Sequence, residues 1–443
     1  MKRDETIAAI CTPPGEGGLA VLRISGKEAF AIANKIFTGD LFSYASHTAH
    51  LGKILAGDGA IIDEVLLLVM EEGRSYTGEA TVEIMCHGSP LIAQKILARI
   101  FEEGGKPANP GEFTARAFHH GLIDLSQAEA VQQLISAKSE AALRAATDQL
   151  EGRLSIIIKD LQKSICDVTA IIEAWVDYPE EGLEFATQEE ILSMLDTILF
   201  KATHLQQTFH DGKRLMEGIS VCLIGAPNAG KSSLMNRLLG TDRAIVTSIA
   251  GTTRDLLSED LRIGGHTLKL FDTAGIRDTN EVIEKEGIKR AQAAASEAEI
   301  VIVLHDITAP MHELDYPLDY PGAIVCFNKT DLPHEPPPFE GILLSCKTGD
   351  GIDDLKTAII AKIQTLTHRK EDEVILTQER HFAALTEAIE MIALAKHNLQ
   401  FNESPEFIVL DLRAALRALS SIIGIDITEE ILGSIFEKFC VGK

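Results

Sequence analysis

Residues 219–232 constrain this chain more than any other stretch. Ile219-Ser220-Val221-Cys222-Leu223-Ile224 is almost wholly apolar, as a strand buried on both faces must be. It runs into Gly225-Ala226-Pro227-Asn228-Ala229-Gly230-Lys231-Ser232, and a helix-forming run, Ser233 to Leu239, follows. Strand, G-x-x-x-x-G-K-[ST] loop and helix form the context in which this motif has physical meaning. Its glycines let backbone N–H groups turn inward around phosphate oxygens, and the helix N-terminus adds its positive end. Lys231 is expected to reach the β and γ phosphates, and the Ser232 hydroxyl to ligate Mg²⁺. A glycine-rich surface turn with a stray lysine would need neither the strand before it nor the helix after it.

Further elements follow in the order such a domain requires. Gly251-Thr252-Thr253-Arg254-Asp255 supplies a threonine able to complete the Mg²⁺ shell and sense the γ-phosphate. The strand Leu268-Lys269-Leu270-Phe271 ends in Asp272-Thr273-Ala274-Gly275. There Asp272 would hold a Mg²⁺ water, and the Gly275 N–H would meet the γ-phosphate. Gly264-Gly265 before it fits a hairpin turn, so the strands on either side should be neighbours. Ala323-Ile324-Val325-Cys326-Phe327 then leads to Asn328-Lys329-Thr330-Asp331. A carboxylate here accepts from guanine N1–H and N2–H₂ together, donors that adenine lacks at those places, so Asp331 selects guanine. Ser345-Cys346-Lys347 matches the loop that touches guanine O6. Each downstream match is weak alone, but five in order specify a guanine-nucleotide site. An ATPase of the same fold has no reason for the Asn328/Asp331 pair.

One position departs from the simplest enzymes of this kind. A glutamine commonly follows the last glycine of D-x-x-G and orients the attacking water. Ile276 stands there and cannot do so. The sequence alone offers an acidic residue in the charged segment that follows, Arg254 or Arg277, or a cation near Asn228.

The rest of the 443-residue chain is organised around this insert. Residues 1–118 mix strands, such as Ile61–Met70 and Thr81–Cys86, with a helical stretch from Ser89 to Phe101, an α+β unit. Residues 119–212 read as long helices, with apolar residues at three and four, as in Leu134, Ala137, Ala141, Ala145 and in Ile165, Val168, Ile172. Strands and helices alternate over 213–371. Long helices return over 372–443, at Thr377–Asn398 and Glu406–Leu419. The two helical segments flank the insert and are expected to pack as one discontinuous domain. Pro336-Pro337-Pro338 reads as a surface loop inside it.

Composition narrows the function classes. No apolar run reaches the roughly 18 residues that span a bilayer, and Pro13-Pro14-Gly15 interrupts the short apolar stretch that a signal peptide would need. Seven scattered cysteines without a CxxC pair fit reduced thiols in the cytoplasm, not a zinc ribbon or a disulfide framework. The net charge of −25 excludes a uniformly basic surface, so any RNA must be gripped by a local patch or a basic partner.

Beyond the insert, the chain resembles the MnmE/TrmE family of tRNA uridine-modification GTPases. The likeness rests on Thr12-Pro13-Pro14-Gly15-Glu16-Gly17-Gly18, Leu22-Arg23-Ile24-Ser25-Gly26, Ser75-Tyr76-Thr77-Gly78-Glu79 and Glu83-Ile84-Met85-Cys86-His87-Gly88. It continues through Pro110-Gly111-Glu112-Phe113-Thr114-Ala115-Arg116-Ala117-Phe118 and Asp124-Leu125-Ser126-Gln127-Ala128-Glu129-Ala130 to a terminal Cys440-Val441-Gly442-Lys443. The resemblance implies an N-terminal domain that dimerises and binds 5-formyl- or methylene-tetrahydrofolate, a helical domain, and an inserted Ras-like domain. It also implies a homodimer that joins an FAD-dependent MnmG/GidA-type partner in a heterotetramer. Together they would add a carboxymethylaminomethyl-type group to C5 of the wobble uridine of certain tRNAs. K⁺ is implied as the cation that stimulates hydrolysis and pairs the G domains.

Carried over by position, Arg23, Glu83 and Lys443 resemble the folate-pocket residues, and Cys440 the family's functionally required cysteine. Asn228, Thr247, Ile249 and Thr252 fall at the K⁺ cradle, Ser232 and Thr253 at Mg²⁺, and Glu284 at the catalytic glutamate that orients water in place of Ile276. Arg254 remains a candidate for charge neutralisation. The nucleotide site expected from motifs and resemblance comprises Asn228, Ala229, Gly230, Lys231, Ser232, Ser233, Thr247, Ser248, Ile249, Ala250, Gly251, Thr252, Thr253, Asp272, Thr273, Ala274, Gly275, Asn328, Lys329, Asp331, Ser345, Cys346 and Lys347. Leu122 departs from the pattern, standing where family members often carry a pocket lysine; His119 and His120 lie beside it.

Structural readings compete at several of these positions. Arg23 reads equally as a sheet-edge arginine in a salt bridge, Glu83 as a solvated strand residue, and Cys440 as an inert thiol in a helix-like run with Phe436 and Phe439. Cys86 and His87 are adjacent on a strand, point to opposite faces, and should form no dyad. The competing function class is a ribosome-assembly switch resembling Era or Der. It accounts for residues 219–350 and leaves residues 1–120 and Cys440 without a role.

Overall fold

The computed structural model describes residues 5–177, 186–242, 258–272, 298–309, 322–337, 339–366 and 374–443. Two compact units are present: Met1–Gln132, Gln149–Leu183 and Ser404–Lys443 form one, and Gln133–Asp148 with Glu184–Glu403 form the other. Helical residues from before and after the α/β segment contribute to both.

The first unit opens with β1 (Ile7–Ile10), β2 (Leu19–Ser25), α1 (Ala29–Ile36), β3 (Thr48–Leu55), β4 (Ile61–Met70), β5 (Thr81–His87), α2 (Pro90–Glu102), β6 (Lys106–Pro107) and α3 (Glu112–His119). The strands form one sheet in the order β3-β4-β5-β2-β1-β6. All its pairs are antiparallel except β1 with β6. Leu22, Ile24, Leu67, Val69, Val82 and Ile84 form a core with apolar residues of α1 and α2. Period-2 alternation then turns Ala9, Arg23 and Glu83 to the other face, where register makes them cross-strand neighbours. Cys86 is buried, whereas exposed His87 bonds Asp63 at 2.8 Å, so no dyad forms. Burial pushes the Cys86 thiol up to about 11.

Several motif residues of the sequence resemblance turn out to hold this domain together. Arg116, 5% exposed, donates through Nη1 to both Glu79 oxygens (3.0 and 2.9 Å) and through Nη2 to Glu112 (3.0 Å). Ser25 Oγ donates to Glu79 at 2.7 Å, and His120 Nδ1 lies 2.7 Å from the Thr77 carbonyl. Removing one member of such a buried charged set costs about 3–5 kcal/mol, because a desolvated charge is left behind.

The helices are α4 (Leu125–Ser136), α5 (Glu140–Leu150), α6 (Arg153–Asp177), α7 (Gln188–Gln207) and α8 (Phe209–Glu217), and, after the α/β segment, α11 (Glu379–Gln400), α12 (Pro405–Ile423) and α13 (Glu429–Phe436). In the first unit α6 packs on α12, and in the second α7 packs on α11. Leu154, Ile158, Leu161, Ile165, Val168 and Ile172 bury one stripe of α6 at steps of four and three; Ile408, Leu412, Ala415, Leu419 and Ile422 do so on α12. Sequence segments on either side of the insert thus pair directly. The expected stripe Leu134–Ala145 instead spans two helices. Ser139 breaks it, its hydroxyl accepting from the Ala142 N–H at 3.1 Å as the cap of α5.

The α/β segment contributes β7 (Ile219–Ile224), α9 (Lys231–Asp242), β8 (Ser258–Ile263), β9 (His266–Asp272), β10 (Ile300–Asp306), β11 (Ile324–Asn328), β12 (Ile342–Leu343) and α10 (Ile352–Leu366). Its sheet runs β12-β11-β10-β7-β9-β8, all parallel except β8. Gly264 and Gly265 carry φ of 59° and 83°, the two-residue hairpin that the pair predicted. Chain order reverses on the two sides of β7, so the carboxyl end of β7 opens a crevice where α/β sheets bind ligands.

Candidate functional site

The phosphate loop leaves that carboxyl end and closes on α9. Asn228 takes a left-handed φ of 62°. Gly230 has a φ of 100°, and a Cβ there would stand 2.2 Å from Asn328 Nδ2, so only glycine fits. Lys231 Nζ donates to the Gly225 and Ala226 carbonyls at 2.7 and 2.9 Å, keeping the ammonium over the mouth of its own loop. Ala229 is buried, whereas Ser232 and Ser233 are exposed on the first turn of α9. Asp272 is the last residue of β9.

The guanine-selecting residues converge from two loops and are tied to the phosphate loop. Asn328, 3% exposed, donates through Nδ2 to the Ala229 carbonyl (2.8 Å) and accepts from the Cys346 N–H through Oδ1 (3.0 Å). It latches the phosphate loop to the Ser345-Cys346-Lys347 loop. The buried Ser345 hydroxyl donates to Asp331 Oδ1 at 2.7 Å, and Lys347 Nζ lies 3.8 Å from Oδ2. The Asp331 side chain is 16% exposed and oriented before any base arrives. Cys346 offers its N–H rather than its thiol, which packs against the core holding Cys326 and which burial pushes up to about 11. Sequence reasoning missed Asp306, at the end of β10, which pairs with Lys329. Burial alone would raise the Asp306 carboxyl, but hydrogen bonds from Lys329 and Thr308 outweigh it and hold the group low. A lone aspartate after a strand carries no motif that would have announced this.

Thr247, Ser248, Ile249, Ala250, Gly251, Thr252, Thr253, Arg254, Thr273, Ala274, Gly275 and Glu284 lie outside the described residues, as does Ile276.

A second cluster lies on the outer face of the N-terminal sheet. Arg23 is interior to β2, between β1 and β5, and is not the sheet-edge arginine of the structural reading. Its Nε and Nη2 both bond Glu83 Oε1, at 2.9 and 2.8 Å, so Glu83 is paired and not solvated. The guanidinium carbon lies 5.2 Å from the Tyr76 ring centre and 5.4 Å from that of Phe113. Nη1 is buried and has no hydrogen-bond partner among the described residues.

The C-terminal tail closes in on the same cluster. Phe436 and Phe439 pack with Ala115, Leu125 and Ala128, and α13 ends at Phe436, so Cys440 lies beyond the helix and not inside it. The Gly111 N–H donates to the Cys440 carbonyl (3.4 Å) and the Phe113 N–H to that of Lys443 (3.2 Å). The structure therefore brings Arg23, Glu83 and the tail residues Cys440 and Lys443 into one neighbourhood. Cys11, Tyr76 and Phe113 join them; the last two stood in quoted motifs, but nothing in the sequence tied them to Arg23. Burial pushes the Cys11 thiol up, against the opposing pull of Arg23 and Lys443. Leu122 is 47% exposed.

Fold and site together define a P-loop protein built for a guanine nucleotide, its α/β domain inserted between helical segments that follow an N-terminal α+β domain. The family described as "MnmE helical domain" matches residues 125–440, and "GTP-binding protein TrmE N-terminus" matches residues 6–122. A relative from Protochlamydia amoebophila, "tRNA modification GTPase MnmE", is 48% identical over 99% of this chain and 98% of its own length. Relatives of the same name from Chlamydia trachomatis serovar L2 and Chlamydia felis are 41% and 43% identical over 100% of both chains. The chain belongs to the MnmE family.

Proposed function

We propose that this chain is the K⁺-stimulated GTPase of a complex that adds a carboxymethylaminomethyl-type group to C5 of the wobble uridine of certain tRNAs. The observation that carries the reading is a preorganised guanine pocket in a chain that matches its relatives from end to end. Asp331 accepts two donors that guanine presents together, and Ser345 holds it in position to do so. Lys231 exchanges its loop carbonyls for phosphate oxygens. Ser232, exposed on the first turn of α9, offers a hydroxyl to Mg²⁺ with Thr253, and Asn228, Thr247, Ile249 and Thr252 are assigned to K⁺. These cations would supply neutralisation of charge on the transferring phosphoryl group. Glu284 is assigned to orient the attacking water.

The Arg23 cluster suits a folate carrying a one-carbon unit. Arg23 Nη1, a buried donor without a partner among the described residues, awaits an acceptor, and flat aromatic side chains stand beside the guanidinium. Arg23, Glu83 and Lys443 would hold the folate, whose chemistry is delivery of one carbon. We assign residues 1–118 to folate binding and dimerisation, 119–212 and 372–443 to one helical domain, and 213–371 to the G domain. A homodimer with an FAD-dependent MnmG-type partner, which also meets the tRNA, completes the reading; the net charge of −25 leaves much of the positive surface to that partner.

Nucleoside analysis of tRNA from a strain lacking this chain tests the proposal. Loss of the C5 side chain at the wobble uridine is the expected result. Unaltered wobble uridine with accumulating ribosomal subunits would overturn it in favour of an assembly switch.

A further inference from the structure

Phe113 belongs to two structures at once. Its ring covers one side of the Arg23 guanidinium, and its N–H is bonded to the Lys443 carbonyl. The tail that provides this carbonyl is itself tightly seated. A Cβ on Gly442, whose φ is 97°, would stand 2.6 Å from the Ile10 carbonyl oxygen and 2.9 Å from Cys11 Cα. Both contacts are backbone atoms at the end of β1, the strand beside Arg23, and just after it, and they cannot swing aside as a flexible side chain would. Tyr76 also covers Arg23 with its ring, which is fixed through a 2.9 Å hydrogen bond between its hydroxyl and Thr114. Thr114 follows Phe113 in α3, so both rings are anchored to one helical turn.

We propose that Tyr76 and Phe113 are positioning residues that clamp Arg23 with Nη1 free for an acceptor on the ligand, and that Gly442 latches the tail that holds Phe113. This rests on the reading of the Arg23 cluster as a folate pocket, and it makes folate affinity depend on the seating of the tail. The physical reason is preorganisation. An unclamped arginine carries large rotamer entropy, and a clamped one has already lost it before the ligand binds. Glu83 bonds two guanidinium nitrogens and two aromatic rings stand against the group, so the third nitrogen is the one left for a ligand.

The test is calorimetric titration of the full-length chain with 5-formyltetrahydrofolate, alongside GTP turnover and the melting temperature. Tyr76→Leu should weaken binding about tenfold, whereas Tyr76→Phe, which keeps the ring, should stay within about threefold. Gly442→Ala should also weaken binding about tenfold, whereas Val441→Ala, at a 54% exposed position, should not. GTP turnover should be unchanged in all four. Wild-type affinity in both Tyr76→Leu and Gly442→Ala would overturn the clamp while leaving the folate reading intact. Absence of binding by the unaltered chain would remove the folate reading, and this proposal with it.

Discussion

The guanine pocket and the Arg23 pocket are built in opposite ways. The first takes its groups from the loops that leave β7, β11 and β12, at the carboxyl ends of parallel strands of one sheet. Each loop follows its strand directly, so a few consecutive residues specify both identity and place. The second takes Arg23 from β2, Glu83 from β5, Tyr76 from a turn, Phe113 from α3 and its lid from the last residues of the chain. Local spacing says nothing about how such pieces meet. A site of the first kind is read from motifs; members of the second can be named by resemblance, but only contacts show how they meet.

Glu284→Ala should have the largest effect and should fall on one pocket only. Turnover of bound GTP should drop by about 100-fold, as for loss of a group that manages the attacking water, with GTP and folate affinities nearly intact. Single-turnover hydrolysis at saturating GTP and K⁺ measures this. A change within about threefold, less than 1 kcal/mol of barrier, would remove Glu284 from the chemistry.

Asp331→Asn should weaken GTP binding by about 50-fold, the worth of hydrogen bonds to a charged acceptor. It should admit xanthine nucleotides, whose O2 the new amide can donate to. Competition between GTP and xanthosine triphosphate reads both effects, and unchanged GTP affinity would break the assignment of this loop.

Replacing K⁺ by Na⁺ at matched ionic strength should slow hydrolysis at least about tenfold if, as proposed, a cation does the neutralising work of an arginine finger. It should leave the Arg23 pocket untouched. Equal turnover in the two salts would dissolve the K⁺ assignment of Asn228.

Arg23→Lys addresses the other pocket. Lysine can still pair with Glu83, but it has no planar fork to lie against the rings of Tyr76 and Phe113. Folate binding should weaken about tenfold with GTP turnover unchanged. Equal folate affinity would reduce Arg23 to an ordinary ion pair.

Ser345→Ala is the mildest case. It removes one hydrogen bond that orients Asp331 but leaves the carboxylate, so GTP affinity should fall only about fourfold. A loss as large as that of Asp331→Asn would mean that Ser345 itself meets the base.

The sequence by itself determined the elements whose signals are local. β4 runs over the residues its alternation predicted, Ile61–Met70, and Pro90 starts α2 as a proline at a helix N-terminus should. The Gly264-Gly265 hairpin and the phosphate loop were equally legible, because each depends on backbone conformations that few residue types adopt. Tertiary structure alone decided the break at Ser139, since apolar spacing continues across it and only the cap reveals the end of one helix and the start of the next. It also decided that the Glu79, Glu112 and Arg116 of the resemblance motifs serve a buried network, and that Asn328 joins two loops. Arg23 shows the limit most clearly. Its neighbour Glu83 lies 60 residues away and Lys443 at the far end of the chain. What brings them together is sheet register and the packing of Phe436 and Phe439, long-range burial that leaves no periodic trace around any one of the residues it unites.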